Sequence, residues 1–160
     1  MTDSSPISGW LQRLDAVEER LQREVDKSGG TTSPDPGTGE AWERGQLWGH
    51  IAEFVPFWSG QIVDLIDEYV GQPIGYGRSK DGAERKAGID AGMEIAISTL
   101  WAEVRSDLSD LRHILTALPA GWQRAVGLHP AQGEQPAEAI IERTLISHLE
   151  EHATQLEAIS

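Results

Sequence analysis

Residues 40–70 read EAWERGQLWGHIAEFVPFWSGQIVDLIDEYV. Leu47, Ile51, Phe54, Trp58, Ile62, Leu65 and Tyr69 fall three or four positions apart. That spacing puts them on one face of a long helix. Pro56 lies inside the run and should kink it, because proline removes a backbone donor and crowds the preceding turn.

On the N-terminal side lies SGGTTSPDPGTGE, residues 28–40, whose composition predicts a mobile loop. Before it, residues 8–27 carry a stripe of Trp10, Leu14, Val17, Leu21 and Val25. Ser8 fits an N-cap there and Gly29 a stop. On the C-terminal side, GQPIGYGRSKDG (residues 71–82) reads as a flexible connection. One helix is then predicted over Ala83 to Leu118, along Ile89, Met93, Ile97, Leu100, Val104, Leu108, Leu111 and Leu115, and Pro119 ends it. Residues 120–136 read as irregular, with a short extended piece near Trp122 to Val126. A last helix starts at Pro136 and carries Ile141, Leu145, Leu149, His152, Leu156 and Ile159. Four long amphipathic helices with long connecting loops predict an all-α four-helix bundle, as one domain over residues 1–160.

Composition narrows the functions. The 160 residues carry a formal net charge of −13, which repels phosphate backbones and anionic membrane surfaces. The chain has no cysteine, so any metal ligand must be His, Asp, Glu or a backbone oxygen. No stretch is long and apolar enough to span a bilayer, and residues 1–10 lack the pattern of a signal peptide. The expected location is cytoplasmic.

Five histidines remain to be placed. His148 and His152 stand one helical turn apart on or beside the apolar stripe of the last helix, so both rings can reach one ion. His50 flanks the stripe of the second helix, three residues after Leu47. Each alone reads as a hydrogen-bonded core histidine; three buried imidazoles together need partners, and a shared cation supplies them. His113 lies off its stripe and His129 precedes Pro130 in a loop, so both stay outside the set. Glu53, three residues after His50, reads as a partner of that ring, a general base or a solvated carboxylate. Glu151, beside His152, reads as solvent-facing, and Gln155 as pocket-lining or solvent-facing. The string HLEEH fits H-x-x-E-H, but only eight residues follow His152, too few for the distant third ligand of an inverted zinc peptidase.

WERGQLWGHIAEF (residues 42–54), HLEEHATQLEAI (148–159) and the run GWQRAVGLHPAQGEQPAEAIIERTLISHLEEH (121–152) resemble the DinB-like metalloprotein superfamily. The similarity in pattern extends from about Trp10 to Ile159. The resemblance implies a four-helix bundle holding a divalent metal, zinc or nickel, on His50, His148 and His152, with water at an open position and often a homodimer. Characterised relatives include thiol S-transferases and mycothiol-dependent maleylpyruvate isomerase. The resemblance thus implies a small thiol and an electrophilic small molecule as partners. Since this chain has no thiol, the cosubstrate must bring one, and metal coordination would favour its thiolate. Segments 28–39 and 71–82 are placed to close over such a pocket. A metal-activated hydrolase and a non-catalytic metal-binding stress-response protein remain as alternatives.

Overall fold

The computed structural model describes residues 5–159. The element that decides the fold is α2, Arg44–Glu68. It starts four residues later than its apolar pattern suggests, because Glu43 forms a capping box with Gln46, whose amide oxygen accepts from the Glu43 N–H at 3.0 Å. Trp42 belongs instead to the preceding loop, where its N–H donates to Thr32 Oγ1. The helix passes through Pro56 without interruption.

α1, Ile7–Gln22, buries Trp10, Leu14, Val17 and Leu21. Its cap position is Pro6, with no side-chain cap, so Ser8 falls inside the first turn instead of capping it. The loop expected to be mobile is knit by backbone bonds: Thr32 N–H to Trp42 O and Asp35 N–H to Glu40 O, both 2.8 Å. Inside it, the Asp35 carboxylate accepts from the N–H groups of Gly37 and Thr38.

The single helix predicted over residues 83–118 is two: α3, Ala83–Ala91, and α4, Ile97–Thr116. The cause is a close backbone approach. A Cβ on Gly49 would stand 2.6 Å from the Gly88 carbonyl oxygen, and one on Gly45 2.6 Å from that of Gly92. Four glycines, spaced four apart on each helix, let α3 lie directly against α2. The chain then turns at residues 92–96 and sends α4 along another face of α2. Met93, placed on the predicted stripe, is half exposed for that reason.

A second departure is a small sheet. β1 (Ile74–Gly75) pairs in parallel with β2 (Val126–His129), which pairs antiparallel with β3 (Gly133–Pro136). The extended piece therefore begins where it was expected to end, and Trp122–Arg124 forms a 3-10 turn instead. After Pro136 the chain is helical to Ala158, in three parts: α5 (Ala137–Ile141), a π segment (Glu142–Ile146) and α6 (Ser147–Ala158).

α1 packs on α4 and α6, and α2 packs on α4 and α6, so the four long runs surround one core. The architecture is mostly helical but not the pure four-helix bundle expected, since α3 and the sheet are added to it. Arg44 closes the end of the bundle near the last helix. Its guanidinium is 4 % exposed and donates to the carbonyls of Gly29 and Ile159, with Glu24 at 3.6 Å. No described helix is long and apolar enough to cross a membrane.

Candidate metal centre

The structure brings His50, His148 and His152 together. One nitrogen of each lies within 4.8 Å of the others, and the ring centroids are 4.6 to 5.3 Å apart. α2 supplies His50 and α6 the other two, one turn apart. Among the described residues no other group of His, Asp or Glu gathers in this way. His113 is exposed in the last turn of α4, and His129 packs by Tyr76 with its Nδ1 accepting from the Ala131 N–H.

What the three rings share is the use of Nδ1. His50 Nδ1 lies 2.8 Å from Glu53 Oε1, His148 Nδ1 3.1 Å from the Thr144 carbonyl, and His152 Nδ1 2.6 Å from Gln155 Oε1. Each partner is an acceptor, so each Nδ1 carries the proton and each Nε2 keeps its lone pair. His152 Nε2 is buried and has no hydrogen-bond partner. A neutral lone-pair nitrogen sealed from water costs free energy unless something binds it. The donor set fits a divalent cation, since neutral imidazoles suit such ions.

The rings are neutral near pH 7. Burial, then the neighbouring His152, Arg85 and Arg78, holds His50 well below the usual histidine range. Burial, then the two other histidines, pushes His148 down to about 2. Burial pushes His152 down to about 4, although its bond to Gln155 opposes the shift. The His50–Glu53 contact is therefore a hydrogen bond from a neutral ring to a carboxylate, not an ion pair. Glu53 is 12 % exposed on its side chain and is held by Arg78 Nη2 at 2.7 Å from both its oxygens. Burial raises its pKa, against the pull of Arg78.

Aromatic rings wall the cluster. Phe54 stacks on His148 with centroids 4.0 Å apart, and Trp42 stands edge-on to His50 at 4.9 Å. A cavity of about 480 Å³ opens onto all three histidines. Thr32, Ser33, Asp35 and Thr38 line one side, and Glu151 and Gln155 another, so both residues sit at the mouth. Lys80 and Arg85 also line it. Residues from both flexible-looking loops thus form its walls.

Two features were absent from the sequence reading. The π segment places Thr144, whose Oγ1 donates to the Ile140 carbonyl while its own carbonyl faces His148. Wide turns of this kind are frequent at functional sites. Arg85 was also missed: it is 9 % exposed and raises the positive field at the histidines. Its only sequence signal was a cation one turn from Gly82 and Asp81.

No protein-family model matches the chain, and no curated protein does. Two solved structures do. The crystal structure of the mycothiol-dependent maleylpyruvate isomerase superposes with a TM-score of 0.67 at 19% identity, over 98% of this chain and 63% of that one. A histidine-to-alanine mutant of that isomerase gives 0.68 at 18%, over 100% and 65%. The chain spans just under two thirds of the length of these structures. At such identities the likeness is one of fold, and at that level it agrees with the resemblance in residues 42–54 and 121–159: this chain has the fold of the mycothiol-dependent maleylpyruvate isomerase structures.

Proposed function

We propose that the chain is a divalent-metal enzyme that joins a low-molecular-weight thiol to an electrophilic small molecule. The observation that carries the proposal is the gathering of three neutral imidazoles, one nitrogen of each within 4.8 Å of the others, on the wall of a 480 Å³ cavity, with His152 Nε2 buried without a partner. His50, His148 and His152 would hold the ion. Bound there, it would act as a Lewis acid that favours the thiolate form of a thiol. The thiol dependence named for the structures of like fold supports that choice of cosubstrate.

The chain's own groups prepare the site. Glu53, Thr144 and Gln155 fix the tautomer and tilt of the three rings. Phe54 and Trp42 keep water from their faces. The hydroxyls and carboxylates of the outer wall offer hydrogen bonds to a polar cosubstrate. Since no cysteine is present, the attacking sulfur comes from that cosubstrate. Zinc or nickel as the ion, a single domain over residues 1–160, a homodimer and a cytoplasmic location go with this reading.

Glu53 is engaged by both His50 and Arg78, so it is not free to act as the base of a hydrolase. That leaves Glu53 as the group that orients His50, and a hydrolase at this site would have to use another base. The test is metal analysis of the purified protein, then conjugation of an electrophile with several small thiols, with and without metal. Metal-dependent conjugation supports the reading; turnover that needs no thiol, or no turnover with any thiol, rejects it.

A further inference from the structure

A second, smaller cavity of about 120 Å³ reaches His50 and His148 from the side of Trp58. Its other walls are Arg78, Ser79, Lys80 and Arg85. Three cations and no carboxylate line it, in a chain whose net charge is −13. Such a concentration against the overall charge needs a reason.

The three cations are not equivalent. Arg78 is neutralised by Glu53 and lies 4.0 Å over the Phe57 ring. Lys80 is exposed and also faces Asp35 across the larger cavity. Arg85 is more than nine-tenths buried. Its Nη1 donates to the Lys80 carbonyl at 2.9 Å, its guanidinium lies 5.6 Å from the Trp42 ring centroid, and its side chain stands between the two cavities and lines both. Among the described residues no carboxylate forms an ion pair with it; Glu53, which feels its field, is committed to Arg78. A buried guanidinium facing a hollow without a counter-ion is costly, and a cation held by the neutral histidines would add two more positive charges beside it. An anion entering the hollow relieves both.

We infer that Arg85, assisted by Lys80, is a specificity-determining residue that receives an oxyanion group, a carboxylate, of the electrophile in the smaller cavity. Size divides the two cavities. The smaller holds the volume of about four waters, enough for a carboxylate and the carbon bearing it. A thiol cosubstrate with polar substituents needs the larger one. The planar fork of arginine matches a carboxylate bidentately, which a lysine in its place does not. The word "electrophile" rests on the thiol-transfer reading above; the subsite does not.

The binding experiment uses the metal-free full chain, with propionate as probe and propionamide as its uncharged match, read by shifts of the Trp58 indole and Arg85 side-chain NMR signals. Saturable shifts with propionate alone are expected, weakened about 10-fold or more in Arg85→Gln and less in Arg85→Lys. Equal response to both probes, or propionate binding unchanged in Arg85→Gln, overturns the inference. Zinc binding by Arg85→Gln, measured alongside, shows that the variant keeps its fold. The second readout pairs iodoacetate with iodoacetamide in the metal-loaded protein with a small thiol. In both, a C–S bond forms, the C–I bond breaks, iodide leaves and the thiol proton goes to solvent. The preference for iodoacetate, as a ratio of kcat/KM, should fall about 10-fold in Arg85→Gln; an unchanged ratio counts against the subsite. Propionate binding without thiol turnover rejects the thiol-transfer reading alone, and zinc binding without propionate binding rejects the subsite alone.

Discussion

Replacing Glu53 by glutamine tests whether the histidine cluster is built to hold a cation. The carboxylate serves two donors, His50 Nδ1 at 2.8 Å and Arg78 Nη2 at 2.7 Å, in a position 12 % exposed. Both donors bond to Oε1, and a glutamine oxygen in that place can still accept from both. The amide N–H₂ then stands where Oε2 met Arg78, and the negative charge that offsets Arg78 is gone. Removing the partner that orients a ligating histidine weakens metal binding by about 10- to 100-fold, which corresponds to about 1.4–2.7 kcal/mol. The present geometry argues for the lower part of that range, about 10-fold, because the acceptor for His50 can survive while the charge is lost. Competition against a chromogenic zinc chelator near neutral pH measures the difference, with His50→Ala as the limit of ligand loss. Denaturant unfolding of the metal-free variants separates loss of site from loss of fold. Zinc held by Glu53→Gln within about twofold of the parent would refute the orienting role assigned to Glu53, and undiminished zinc binding by His50→Ala would refute the three-histidine site.

Two glycines of α2 should respond oppositely to alanine. Gly49→Ala places a methyl against the backbone of α3 and should cost about 1–3 kcal/mol, whereas a Cβ at Gly60 meets nothing within 4 Å, so Gly60→Ala should gain about 0.5–1 kcal/mol in urea unfolding. Asp107 is pushed up to about 6 by burial and by Asp110 and Glu103. Its folded pKa lies above its unfolded value, so the ionised carboxylate costs stability above pH 6, and the cost fades as pH falls towards the unfolded pKa. Asp107→Asn should therefore stabilise the protein by about 1 kcal/mol at neutral and alkaline pH, and not in acid, as read from urea midpoints across pH.

The helical core was legible because its signal is local. Leu47, Ile51, Phe54, Ile62 and Leu65 repeat at helical spacing, and all are buried. The three histidines were legible for the same reason: each sits at a fixed phase from a neighbouring leucine. What was hidden depends on contacts distant in sequence. Ile89, Met93 and Ile97 keep their spacing across a break imposed by Gly45 and Gly49, more than forty residues upstream. β1 is two residues long and exists only because residues 127 and 128 lie beside it. The partners of the rings were legible in part: Glu53 and Gln155 each follow their histidine by three positions, but the Thr144 carbonyl belongs to the backbone, where side-chain identity says nothing.

The wide turn at residues 142–146 bears on how the last helix can change. The Ser147 N–H reaches back to the Glu142 carbonyl, five residues away instead of four, so that turn consumes one residue more than its neighbours. Each residue of an α-helix advances the chain by about 100° around its axis. A uniform wheel drawn from Ile140 and Ile141 through to His152 thus misplaces one end by about that angle. The apolar face before the turn and the histidine face after it follow two separate counts, reconciled only by the extra residue. Losing or gaining a single position elsewhere in the helix has no such slack to draw on, and would swing the histidine pair away from His50. The spacing between Pro136 and His148 is in this sense a setting of rotation as much as of length.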